Sequence, residues 1–179
     1  VFEPSNYDAR FNMMYASYIS AQAFNSGGLG IIHSISHAVS AFHDSHHGLN
    51  NAIGLTRVWE FNMPTCYKRF RDIARAMGEN VDGLSDVAAA DRALEAAIKL
   101  SKDVGIPENF ASIGNYTKSQ MGKGKYAQWM NDGINGDDHN VDRITRHVQG
   151  DGSTPGNARE VTFDAVAPVV KHALVGSYY

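Results

Sequence analysis

The sequence predicts an all-α fold. Three observations carry that prediction: apolar residues recur at spacings of three and four, glycine and proline punctuate the ends of those runs, and no period-2 run of β-branched residues bounded by turns is present. Phe11, Met14, Tyr15, Tyr18 and Ala21 form one stripe, predicting a helix over about 8–25 with a buried face, ended by Ser26-Gly27-Gly28. A second helix is expected from about Leu29 to Phe42, and a third from about Gly48 to Asn62. The third should stop before Pro64, because the residue preceding a proline is pushed out of the helical region. Tyr67, Phe70, Ile73, Ala74 and Met77 line a fourth, terminated by Gly78. Val87, Ala90, Leu94, Ala97, Ile98 and Val104 line a fifth, with Ser85 as N-cap, Asp86 in the first turn, and Gly105 and Pro107 as stop signals. Residues 131–157 concentrate glycine and aspartate and read as a loop-rich insertion that holds at most a short helix, Val141–Val148. A last helix is expected over about Thr162–Leu174, kinked or started late by Pro168.

The whole chain, 1–179, reads as one domain: it carries a formal net charge of −3, with 43% apolar and 20% charged residues. No Lys/Arg block marks a nucleic-acid or membrane-surface partner, no apolar run reaches the ~20 residues of a membrane helix, and no signal peptide opens the chain. A cytoplasmic protein is expected. Cys66 is the single cysteine, so a disulfide or thiolate zinc site within one copy is excluded, and any metal must be held by His and carboxylate. The opening VFEPSNYDARF reads as the tail of a connection, so the chain is expected to be a fragment.

Of eight histidines, five (His33, His37, His43, His46, His47) lie within fifteen consecutive residues. His33 and His37 are four apart on the second helix, so both rings leave the same face. Neutral imidazole is the commonest protein metal ligand, and two helix ends are ordinary geometry for a divalent ion. Taken singly, each ring reads equally as a solvent-facing or helix-capping histidine; the cluster reads as a metal or catalytic site. H-E-x-x-H, E-x-x-H, C-x-x-C-H and G-x-S-x-G are all absent.

The run Ala23-Phe24-Asn25-Ser26-Gly27-Gly28-Leu29-Gly30-Ile31-Ile32-His33-Ser34-Ile35-Ser36-His37, then His47-Gly48-Leu49-Asn50-Asn51-Ala52, resembles the G-L-G-x-x-H-x-x-x-H and H-G-x-x-N-A signature of the iron-containing (group III) alcohol dehydrogenases. The likeness extends over about residues 8–110 and returns at Asn157-Ala158-Arg159. It implies the C-terminal helical-bundle domain of a two-domain dehydrogenase whose α/β nucleotide-binding domain lies outside this chain. By the same resemblance His33 and His47 are metal ligands, and His37 is a catalytic and cofactor-contacting histidine beside the nicotinamide, a candidate proton relay. Phe24 falls at an aromatic wall of the alcohol pocket, though its own context reads equally as core, and His43 is expected near the pocket mouth. The family's remaining ligands, an Asp and a His about one helical turn apart, lie upstream, so half a site is expected here.

Within the family, residues 33–44 and the insertion after Asn131 resemble the actinobacterial methanol dehydrogenases that are assayed with N,N-dimethyl-4-nitrosoaniline. That branch implies a short alcohol such as methanol as substrate, oxidised to the aldehyde, and a divalent metal, zinc or iron, with magnesium. It further implies tightly held NADP(H) or NAD(H) reoxidised in place by a second electron acceptor, and a large ring-stacked homo-oligomer such as a decamer. Two other readings stay open: a non-catalytic helical metal-binding or assembly module built on the histidines, and a metal-dependent lyase or synthase.

Overall fold

The structure, a computed structural model, describes residues 3–113 and 134–178. Six α-helices lie among the described residues: α1 (Tyr7–Gly27), α2 (Ile31–His43), α3 (His47–Ala76), α4 (Asp86–Asp103), α5 (Asp138–Gly150) and α6 (Phe163–Val175), with 3-10 turns at Phe110–Ser112 and Thr154–Gly156. No described residue is in a strand, as the sequence predicts.

Helix α1 forms where its periodicity places it, capped by Asn6 Oδ1 accepting from the Ala9 N–H, but none of its residues is buried. The expected buried face, with Phe11, Met14, Tyr15 and Tyr18, has no cover among the described residues. Helix α2 begins two residues later than expected, because Gly28 takes φ +77° and Gly30 is extended. Its Ile31, Ile35, Ala38 and Val39 then enter the main core.

Helix α3 consists of the two expected helical segments joined across a kink, with the break later than expected: the backbone stays helical through Pro64 and leaves helical angles at Cys66 (φ −151°, ψ 36°). A proline removes one backbone bond rather than ending a helix outright. At the kink the Asn62 carbonyl, i−4 to the non-helical Cys66, accepts from the Thr65 hydroxyl at 2.8 Å and the Cys66 thiol at 3.3 Å. The kink redirects α3 between two cores. Ile53, Val58 and Phe61 join α2, α5 and α6, whereas Met63, Phe70 and Ala74 pack on Ala89, Ala90 and Ala93 of α4. The buried stripe of α4 is therefore alanine, while Val87 and Val104, expected to line it, are exposed. Its cap is as predicted, Ser85 Oγ accepting the Ala88 N–H at 3.1 Å.

The glycine-rich stretch is more helical than expected. Asp137 caps a helix that reaches Gly150 and buries Ile144 and Val148 completely, so α5 is a core element; residues 131–133 lie outside the described ones. Helix α6 passes through Pro168 as one element, since Pro168 sits on the solvent face and only a first-turn carbonyl loses its partner. Between α5 and α6 the chain crosses the start of α2. Asn157 and Asn62 exchange amide hydrogen bonds of 3.1 and 2.9 Å, and Asn157 Oδ1 accepts the Ile31 N–H. A Cβ on Gly156 would stand 3.1 Å from the Leu29 carbonyl oxygen, so this close crossing suits glycine. The crossing lays Asp151 beside the histidine face of α2.

Candidate metal centre

His33 and His37 rise from one face of α2, and His47 is the first residue of α3. The short 44–46 connection, with Asp44 in the left-handed conformation, turns the chain back so that the three rings meet. Ring centroids lie 5.1 Å (His33–His47), 5.4 Å (His37–His47) and 6.1 Å (His33–His37) apart. One ring nitrogen from each falls within 4.8 Å of the others. Phe24, at the end of α1, has its ring 6.4 Å from that of His33.

The remaining histidines of the cluster do not join. His46 Nδ1 accepts the Leu49 N–H and caps α3. His43, expected near a pocket mouth, is only 6% exposed and packs against α5, where the Arg143 guanidinium donates to its Nε2 at 2.9 Å.

The state of the rings suits a cation. Burial, then the charges of His47 and His37, push the His33 pKa down, with Asp151 partly offsetting them. Burial, then His37 and His46, lower that of His47. Both are therefore neutral imidazoles near pH 7, the form that binds metal. His33 Nδ1 and His47 Nε2 stand 3.3 Å apart, close to the ~3.3 Å between two nitrogens arranged tetrahedrally about one zinc-sized ion. Asn51 Nδ2 lies 3.2 Å from His47 Nδ1 and 3.3 Å from its Nε2, and its buried Oδ1 has no partner among the described residues. Turned over, that amide accepts from His47 Nδ1–H and leaves Nε2 for a metal, the usual support of a ligating histidine. His33 and His47 thus fit a divalent ion. Phe24 and His37 flank His33 with open ring surfaces, 47% and 38% exposed.

Asp151 is the site residue that sequence reasoning missed. It is 13% exposed, and its Oδ2 lies 2.9 Å from His37 Nδ1 and 3.8 Å from His147 Nε2. Oδ1 accepts from Ser34 Oγ at 3.1 Å and from the Ser153 N–H at 2.8 Å. Burial alone would raise its pKa, but the hydrogen bonds from Ser153, His37 and Ser34 outweigh it and hold the carboxyl at about 2. Because the folded value lies below the unfolded one, the carboxylate contributes about 2 kcal/mol of stability that is present above pH ~4 and lost as the pH falls towards 2. Asp151→Asn should melt below the wild type at neutral pH, and the gap should close between about pH 4 and 2 in circular-dichroism melts. A gap that persists unchanged at the lower pH would contradict this.

Comparison with known proteins decides the family. The model of the Fe-containing alcohol dehydrogenase family, C-terminal, matches residues 1–174. The chain belongs to this family. Among curated Fe-containing alcohol dehydrogenase relatives, the methanol:N,N-dimethyl-4-nitrosoaniline oxidoreductase of Mycobacterium sp. (strain DSM 3803 / JC1) is 59% identical, over 99% of this chain and 42% of its own length. That of Amycolatopsis methanolica is 60% identical, over 98% of this chain and 41% of its own. A crystal structure of a 1,3-propanediol oxidoreductase superposes with a TM-score of 0.78 at 30% identity, covering 94% of this chain and 39% of that one. The chain therefore spans about two fifths of the length of these relatives. Among its described residues no helix is long and apolar enough to cross a membrane.

Proposed function

We propose that this chain is the metal-bearing helical part of an alcohol oxidoreductase that converts methanol or another short primary alcohol to the aldehyde, with a tightly held NADP(H) or NAD(H) as hydride acceptor. The observation that carries the reading is the convergence of His33, His37 and His47 within 4.8 Å, with the pKa values of His33 and His47 lowered by burial and by neighbouring histidines. The activities for which the relatives are named support the same substrate class.

In this reading His33 and His47 hold a divalent ion, zinc or iron, and its other ligands come from outside this chain, since two imidazoles leave a four-coordinate ion incomplete. When bound, the metal supplies Lewis acidity at the alcohol oxygen and the nicotinamide accepts hydride. His37 takes the hydroxyl proton and passes it to solvent, which its 38% exposure permits. Phe24 walls the alcohol beside His33. Magnesium, a homo-oligomer and a second substrate that reoxidises the cofactor in place belong to the same proposal.

The test is to purify the full-length protein and measure its near-ultraviolet absorbance, its metal content and its methanol-dependent reduction of N,N-dimethyl-4-nitrosoaniline. A retained reduced-nicotinamide band, with activity abolished by a chelator, is expected. Metal bound without nicotinamide or alcohol oxidation would instead make the histidines a non-catalytic metal-binding module.

A further inference from the structure

Asp151 has no part in the ligand set and none in the core, yet it is the most heavily bonded carboxylate of the site. Its Oδ1 is fixed by the Ser153 N–H at 2.8 Å and by Ser34 Oγ at 3.1 Å. Ser34 is completely buried and lies 2.8 Å from Thr154 Oγ1, which itself donates to the Val148 carbonyl at the end of α5. The carboxylate is thereby held by Ser34 of α2 and by the backbone just beyond the end of α5, and Oδ2 is left facing His37 Nδ1 at 2.9 Å. An ionised carboxylate only accepts hydrogen bonds. His37 must therefore carry hydrogen on Nδ1, which in the neutral imidazole leaves the lone pair on Nε2.

We propose that Asp151 is a positioning residue that fixes His37 in its Nδ1–H tautomer and in its ring orientation, so that Nε2 is the nitrogen presented for proton exchange. The consequence for turnover rests on the role proposed above for His37; the tautomer itself does not. Ser34, Ser153 and Thr154 act one step further out by fixing the carboxylate. In a serine-protease triad, replacing the equivalent carboxylate with an amide leaves the geometry in place but inverts the tautomer, at a cost of ~10⁴ in turnover. An asparagine at position 151 can likewise donate its amide hydrogen to Nδ1 and move the ring hydrogen to Nε2.

The experiment is solid-state ¹⁵N NMR of histidine-labelled, zinc-loaded full-length protein, with His37 assigned by its loss in His37→Gln, combined with steady-state kinetics on methanol. In the wild type the His37 signals should be those of a protonated Nδ1 and a bare Nε2. In Asp151→Asn they should exchange, and kcat should fall by ~100-fold or more while KM and zinc content change by less than about 3-fold. Asp151→Glu should keep the wild-type tautomer and recover part of kcat. A wild-type Nε2–H, an unchanged tautomer in Asp151→Asn, or a kcat within about 3-fold of wild type despite inversion overturns the proposal. Should Asp151→Asn fail to fold, the wild-type spectrum and that of Ser34→Ala still decide the tautomer. A protein that does not oxidise alcohols would defeat the proposed function while leaving the NMR test of Asp151 intact.

Discussion

Alanine at His47 in the full-length protein should empty the site of metal and cut alcohol turnover by roughly 10³-fold, the scale of the several kcal/mol that a Lewis-acidic ion contributes. His33→Ala should do the same. Neither ring belongs to the core, His47 being exposed at the first position of α3 and His33 half-buried on the polar face of α2, so both variants should fold. The loss follows from geometry: with nitrogens 3.3 Å apart, the two rings form one chelating pair, and removing either leaves a single monodentate ligand on this chain. Elemental analysis of metal per chain, paired with circular dichroism, checks it. A variant that keeps its metal at the wild-type level would remove that residue from the ligand set.

His37→Ala should separate the two functions, retaining metal while turnover falls by ~10² to 10⁴, the usual worth of a positioned proton carrier. His37 already spends one nitrogen on Asp151 and stacks against His47 at an interplanar angle of 24°, an arrangement suited to a ring beside an ion. Metal analysis and single-turnover kinetics on the same preparation are the measurements. Equal metal loss in His33→Ala, His37→Ala and His47→Ala would mean that all three rings are ligands, with Asp151 then supporting a ligating histidine.

Much of this arrangement is legible in the chain because its determinants are local. The pair His33 and His37 is set by one helical turn, and the resemblance of residues 23–52 to a known signature supplies His47. The same local density misleads at His43. Six residues beyond His37 is about 240° around the helix, so a ring in the same histidine run lands against α5 instead of in the cluster. Asp151 stands 114 positions from His37 in sequence, inside a stretch whose glycines and aspartates read as a loop. No periodicity links the two, and only the crossing of the 151–159 segment over α2 brings them together. The stripe on α1 is a comparable case, since spacing announces an apolar face without saying what lies against it. At Pro64 the rule about the residue before proline places the break a few residues early: two helical segments do meet there, but across a kink at Cys66, with each segment held by its own core.

The bend at Cys66 also sets how the chain shares its cohesion. The two clusters it separates have no buried side chain in common: one holds the ends of α2 and α3 that carry the histidines, the other holds the α3–α4 hairpin. Cooperative opening can therefore stop at the bend, with the hairpin fraying as a unit while the histidine end stays closed. For the same reason, a change among the alanines of α4 is felt within the hairpin's own cluster and is buffered from the histidine site.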